Sequence, residues 1–380
     1  MPRFEFSTRN FGIDSLRGLA IVLVIVHHLA LPFRLPLGPS LLHGWVPKRL
    51  INAISFNGYE AVFIFFVISG FLITRRIIAV DGALAQVRLR RFYLARAWRI
   101  APLLLAVLAA LALFAGLGVP GFAPDPDHQS IAGLLGSALS LTFNWYEGRT
   151  GWAPAGWDVL WSLSIEEAFY VGFPLLCLWV PRRLLVGVLL VWAVCLGPLR
   201  ELVPATDEIW REKAYLPGMA AIAWGVLAAL ASTRWRCGPG TARLLMLAGG
   251  LGIFLALGWD RLLHQLFRGA SLYLLCVGAC CMLVGFAAAP PQPRAGLRWL
   301  ARMGALSYEL YLSHMFVVLA VVAAYRALLG KEQAWTFLVY VPVLVLCFGL
   351  ALVLNRVVAR VTRRWRGTSL ASAPVGTLHR

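Results

Sequence analysis

Apolar residues in this chain come in long runs separated by short connections that are rich in arginine on one side and in proline, glycine and tryptophan on the other. The runs fall near 18–35, 58–78, 100–119, 160–180, 184–200, 215–232, 243–259, 270–289, 305–328 and 335–356. Each is close to the ~20 residues with which an α-helix crosses a ~30 Å hydrocarbon core. The pattern predicts an all-α, polytopic integral membrane protein with about ten transmembrane helices. Residues 1–366 read as a single transmembrane domain, and 367–380 as a short cytoplasmic tail that is expected to be disordered.

Composition agrees: the 380 residues are 60% hydrophobic and 14% charged, with a formal net charge of +18. Such a charge would suit nucleic acid if it formed one solvated stripe, but the bases are spread between the apolar runs, so nucleic-acid binding is excluded as a reading. Charge here reports topology. With the N-terminus inside, 24 of the 35 Lys and Arg residues fall in cytoplasmic segments, and an even number of spans puts both termini in the cytoplasm. Asp125, Asp127, Glu147, Asp158, Glu201, Asp207, Glu208 and Glu212 fall in outer loops. No small-residue cleavage pattern follows the first run, so the first helix is expected to stay in place. The seven cysteines lack metal-ligand spacing and read as core residues, so no metal site is expected.

The longest connection, about 120–159, holds IAGLLGSALSLTFNW at 131–145, which is apolar but too short to cross and so either lies at the interface or re-enters. Trp145, Trp152, Trp157 and Trp161 cluster near the outer end of the fourth run. They read either as interfacial anchors or as a stacking platform for a sugar-like acceptor.

Polar residues inside the runs carry the chemistry. Arg17 and His28 lie eleven residues apart in DSLRGLAIVLVIVHH, just over three helical turns and about 16 Å, so they share a face with the arginine low and the histidine near mid-membrane. His314 sits about 18 Å above Arg302 by the same count. Glu166 and Ser69 also come to the middle of the membrane. His27 points about 100° away and is the weaker of the adjacent pair. A histidine beside a carboxylate in a dry cavity is suited to moving a proton to and from a hydroxyl. The plainer readings are that His28 only satisfies a backbone carbonyl and that Glu166 only favours a helix start.

The connection RRIIAVDGALAQVRLRRFYLARAWRIAP carries Arg75, Arg76, Arg88, Arg90, Arg91, Arg96 and Arg99 against Asp81. Positive-inside bias and anionic lipid headgroups account for its net charge. Arg96 and Arg99, three apart on one helix face, additionally fit a phosphate clamp.

In order and spacing, DSLRGLAIVLVIVHH, FFVISGFLIT, RFYLARAWRIAPL, WSLSIEEAFYVGFPLL and LSYELYLSHMF resemble the signature segments of the membrane acyltransferase-3 family. The resemblance runs from residue 14 to 316 and makes 1–366 a transmembrane acyltransferase domain. It implies an enzyme that moves an acyl group, most often acetyl, from cytoplasmic acyl-CoA to a hydroxyl of a saccharide or other acceptor at the membrane, modifying a cell-surface or exported glycan. Acyl-CoA is then a co-substrate, with no bound cofactor, and membrane lipids and the acceptor are the other partners; no oligomeric state is implied. A bacterial inner membrane is the expected location. Residue by residue, the resemblance makes His28, Glu166 or Glu167, and His314 catalytic, and Arg17, Arg96 and Arg99 donor-binding. Ser69 and Tyr308, within matched segments, are further candidates.

Two departures stand out. Phe63 occupies a place where many members carry a polar residue, and no hydrolase-like domain follows the last run, so transfer is expected to be completed within the membrane part. The expected mechanism places the CoA phosphates on Arg96, Arg99 and Arg17 and the thioester at His28, acting as general base or as acylated nucleophile, with Glu166 or Glu167 orienting its imidazole. A transporter or flippase of a lipid-linked saccharide is the rival from another class, and a non-enzymatic membrane scaffold is a third reading.

Overall fold

The computed structural model describes residues 9–371 except 203, 205, 206, 236 and 268, with side chains up to Thr362 apart from 261 and 264. Twelve helices define the architecture. They are α1 (Phe11–Ala30), α2 (Gly58–Asp81), α3 (Leu89–Gly116), α4 (Leu160–Trp179), α5 (Arg182–Val194), α6 (Leu196–Glu201), α7 (Tyr215–Arg234), α8 (Pro239–Gly258), α9 (Ala270–Ala288), α10 (Arg298–Ala305), α11 (Ser307–Leu329) and α12 (Tyr340–Ala371). No strand occurs among the described residues.

Nine helical stretches among the described residues are long and apolar enough to cross a membrane. The run expected at 184–200 is not one of them. It is split at Cys195 into α5 and α6, with Pro198 in the first turn of the second piece. The pair nonetheless runs the length of the bundle: α5 starts just after the end of α4, and the Arg200 guanidinium of α6 lies 5.2 Å from the Tyr59 ring at the start of α2. Tyr59 in turn stacks, at 6.2 Å, on Trp161 at the start of α4.

Both described ends lie at one end of the bundle. Asn10 caps α1 by accepting from the Gly12 and Ile13 amides and donates to the Phe286 carbonyl near the end of α9. Asn355 of α12 donates to Glu309 at the start of α11. Helix α12 runs to Ala371, past the expected boundary at 367, and 372–380 lie outside the described residues.

Close helix contacts are made over glycine, as expected where lipid removes the usual driving force for packing. A Cβ on Gly225 of α7 would fall 1.9 Å from the Val67 carbonyl oxygen of α2, and one on Gly70 would fall 2.0 Å from that of Ile222. The short α10 is pressed on α1 in the same way, with Gly304 against the Asp14 backbone and Gly18 against that of Leu300. Residues 131–145 form two short helices, Ile131–Leu139 and the start of Phe143–Thr150, joined through Leu141 at positive φ.

The four tryptophans of this region do not form one belt. Trp157 is wholly buried, donating to the Phe122 carbonyl, and Trp161 is buried against Tyr59 and Phe66; Trp145 and Trp152 are exposed.

Candidate active site

His28 occupies the last turn of α1 and His314 the third turn of α11, two helices packed side by side. Their ring centroids are 5.2 Å apart and the planes tilted by 40°. His314 is fully buried, and its Nδ1 lies 2.8 Å from the Tyr311 carbonyl and 3.1 Å from that of Leu310. Carbonyls only accept, so Nδ1 carries the proton and donates it, which assigns a lone pair to Nε2. That Nε2 is buried without a partner, as is Nδ1 of His28. His28 as a residue is half-buried. A buried polar atom left unsatisfied is costly and marks a place where something else binds. His27 behaves differently: its Nδ1 faces the Ser55 carbonyl at 3.2 Å and its ring packs on Gly58, where a Cβ would come within 2.4 Å.

A second group lies on α2, α3, α4 and the lower half of α1. Ser69 of α2 donates to Glu166 of α4 at 2.9 Å, and the Tyr170 hydroxyl approaches the other Glu166 oxygen at 3.5 Å. Arg96 of α3 lies over the Tyr170 ring, 3.5 Å from guanidinium carbon to centroid, with Glu166 and Glu167 within electrostatic range. Arg17 is within range of Arg99, Glu166 and Tyr170. Nε of Arg96 and one carboxylate oxygen of Glu167 are buried and unpartnered. Three arginines thus converge around two glutamates, and planar guanidiniums with spare donors are the groups that grip phosphate.

These positions refine the sequence reading. His28 and His314 are brought together, as are Ser69 and Glu166, and Arg17, Arg96 and Arg99. The proposed partnership of Glu166 or Glu167 with His28 is not what the side chains make: Glu166 is held by Ser69 among the arginines. The charged or titratable groups around His28 are His314, His27, Arg34 and Lys213. Tyr308 donates its hydroxyl to the Ile100 carbonyl at 2.9 Å, tying α11 to α3, while its ring neighbours Glu167, Arg96 and Arg99. Phe63 is buried between Tyr59 and Phe66, a packing role.

Several neighbours were missed. Tyr311 and Ser162 share a 2.6 Å hydrogen bond, and the Tyr311 ring lies 6.0 Å from that of His314 and within range of Glu166, so it stands between the two groups. Both residues sit in the quoted segments, so their polar character in an apolar helix was the available signal. Just beyond the end of α1, Arg34 donates to the His28 carbonyl. Lys213 donates to Glu147 at 2.8 Å and also to Asp158. Burial and the Asp158 carboxylate push the Glu147 carboxyl up to about 8, with Lys213 pulling the other way. Among the described residues no group of three or more His, Cys, Asp or Glu is placed to hold a metal ion.

An all-helical membrane bundle that sinks a histidine pair and an arginine–glutamate cluster between its helices defines the class of the protein. A family described as an acyltransferase domain matches residues 10–356, nearly the whole chain, and the chain belongs to this acyltransferase-3 family. It is 26% identical over 345 residues to the peptidoglycan O-acetyltransferase OatA of Listeria monocytogenes, a match covering 81% of this chain and 49% of that protein. It is 26% identical over 197 residues to the O-acetyltransferase OatA of Staphylococcus aureus, covering 49% of this chain and 28% of that protein. The chain thus spans about half the length, or less, of these curated relatives. No solved structure matches.

Proposed function

We propose that this protein is a membrane O-acetyltransferase that takes acetyl from acetyl-CoA at the arginine end of the site and passes it to a hydroxyl of a glycan at the histidine end. The observation that carries the reading is the His28–His314 pair, two facing rings each with a buried, unpartnered nitrogen, with His28 three helical turns along α1 from Arg17. The rise of about 16 Å between Arg17 and His28 is comparable to the reach of a pantetheine arm, so phosphates held by Arg17, Arg96 and Arg99 would leave the thioester beside His28.

In the general-base form, His28 takes the acceptor proton as the hydroxyl oxygen attacks the thioester carbon. The carbon–sulfur bond breaks, and the proton passes to the departing thiolate. In the nucleophilic form His28 carries the acetyl group between the two substrates. Glu166, fixed by Ser69, balances the arginines and so sets the charge of the donor cleft. The relatives named as O-acetyltransferases, one of them acting on peptidoglycan, support a glycan acceptor. The arginine-rich end is read as cytoplasmic, by the positive-inside rule, in a bacterial inner membrane.

The test is purified protein with radiolabelled acetyl-CoA and a mixture of saccharides. Label moving to carbohydrate supports the reading. Saccharide movement across a vesicle membrane without transfer of label would favour a flippase instead.

A further inference from the structure

We propose that Asp158, held by Lys213 and faced by Arg34, forms a saccharide-binding subsite on the outer side of the His28–His314 pair, with Trp152 as its stacking face. Asp158 gives one oxygen to Lys213 and remains partly open, 21% exposed, whereas Lys213 and Glu147 are sealed at 3% and 0%. Lys213 is fixed by further contacts: its carbonyl accepts from Asn144, and its ammonium lies 4.3 Å from the centre of the Trp152 ring. Glu147 accepts from Lys213 and from the Ala153 amide, which locks the turn carrying Trp152. The lysine and Glu147 are therefore positioning residues, and the group they present is the Asp158 carboxylate.

This carboxylate lies within electrostatic range of groups that surround the histidine pair. Asp158 is within range of His27, Arg34 and Tyr311, and Lys213 and Arg34 are within range of His28. Arg34 is buried, fixed by its hydrogen bond to the His28 carbonyl. His314, whose buried Nε2 has no partner, lies within electrostatic range of the same Arg34.

Charge decides what kind of ligand fits. Lys213 and Arg34 are both buried and already committed, Lys213 to Asp158 and Glu147 and Arg34 to the His28 carbonyl, so the site presents no exposed cation to recruit an anion. It offers instead an acceptor oxygen on Asp158, and an indole, 48% exposed, whose ring carries Lys213 nearby. A free carboxylate oxygen beside an aromatic face recognises a neutral, hydroxyl-rich ring, as a saccharide presents. The Asp158 carboxylate would accept from one ring hydroxyl and so aim its neighbour at the histidines.

This inference deepens the proposed acceptor side of the reaction and rests on it for its use in catalysis, but not for binding. The experiment is therefore a binding measurement on the full chain in nanodiscs, with soluble oligosaccharides of N-acetylglucosamine as the probe, read by saturation-transfer NMR, alongside acetyl-CoA affinity. The wild type should bind the oligosaccharide; Asp158→Asn should weaken it roughly tenfold to a hundredfold, the range for losing a hydrogen bond to a charged group, with acetyl-CoA affinity unchanged. Trp152→Ala, at a position 48% exposed, should weaken it independently. In transfer assays Asp158→Asn should raise KM for the saccharide more than it lowers kcat, and Asp158→Glu should recover part of the loss. Oligosaccharide affinity unchanged in both Asp158→Asn and Trp152→Ala, or no binding by the wild type, overturns the subsite. Oligosaccharide binding that depends on Asp158 in a protein that neither binds nor uses acetyl-CoA keeps the subsite and sinks the transferase reading.

Discussion

His28 and His314 face each other with ring centroids 5.2 Å apart, and the backbone carbonyls of α11 already accept the hydrogen bond from Nδ1–H of His314. The pair is therefore asymmetric. His314 can only accept at Nε2, while His28, at the more accessible position, is free to exchange a proton. A hydroxyl that gives its single proton to His28 would be held in line for attack by that one hydrogen bond, leaving Nε2 of His314 to accept from a second donor.

From this asymmetry, His314→Leu should fill the space of the ring but remove the acceptor. Transfer should fall by about 10²–10⁴-fold, the usual worth of one acid–base group, with acetyl-CoA affinity unchanged. The check is initial rates at saturating donor beside donor titration. Undiminished rates would reduce His314 to packing.

Ser69→Ala removes the hydroxyl that donates to Glu166 at 2.9 Å. Losing a hydrogen bond to a buried carboxylate costs about 1.5–3 kcal/mol, so the variant should unfold earlier on heating in detergent. Acetyl-CoA affinity should weaken as Glu166 shifts among the arginines. Ser69→Thr keeps the hydroxyl and should restore most of both, as isothermal titration would register.

Arg96 lies over the Tyr170 ring, and a lysine reproduces its charge but neither its plane nor its fork of donors. Arg96→Lys should thus weaken acetyl-CoA binding by about tenfold, the worth of one charge-assisted hydrogen bond, without altering insertion. Affinity equal to the wild type would return Arg96 to topology.

The fold itself can be tested at glycine. Gly225→Ala places a Cβ 1.9 Å from the Val67 carbonyl oxygen and should destabilise by roughly 1–3 kcal/mol through overpacking of α2 on α7. Gly349→Ala on α12 meets nothing within 4 Å and should be neutral or stabilise by about 0.5–1 kcal/mol. Thermal unfolding followed by tryptophan fluorescence compares the two, and equal effects would contradict the packing described.

Much of this could be read from the chain, and the omissions share one cause. Counting rise per residue placed His28 and His314 at one depth, and spacing placed Arg96 beside Arg99, because depth and helix face follow from position along a helix. Which helices lie side by side does not. Glu166 and His28 also share a depth, yet α4 offers its glutamate to Ser69 and the arginines while α11 supplies the partner of His28. The contacts of Tyr311 with Ser162, and of Lys213 with Glu147 and Asp158, join helices and loops distant in sequence, which hydropathy cannot encode. The break at Cys195 was hidden for a similar reason, since an apolar run keeps its hydropathy when its helix is interrupted.

pH offers a further check outside the membrane-spanning helices. Glu147 is pushed up to about 8 from its ordinary value of 4.5, so the folded state holds this proton more tightly than the unfolded chain. Its contribution to stability is complete below about pH 4.5 and is lost as pH rises through about 8. Unfolding temperature should therefore fall between these values in the wild type, and Glu147→Gln should flatten the slope. An identical slope in both proteins would assign the pH dependence to other groups.

The central claim is that His28 stands at the chemistry and the arginine cluster at the donor's phosphates. The most direct measurement is the transfer of labelled acetyl to saccharide by His28→Ala, made on the same preparation as its acetyl-CoA affinity. Transfer should be abolished while acetyl-CoA binds as in the wild type. Label still reaching carbohydrate at the wild-type rate would contradict the account.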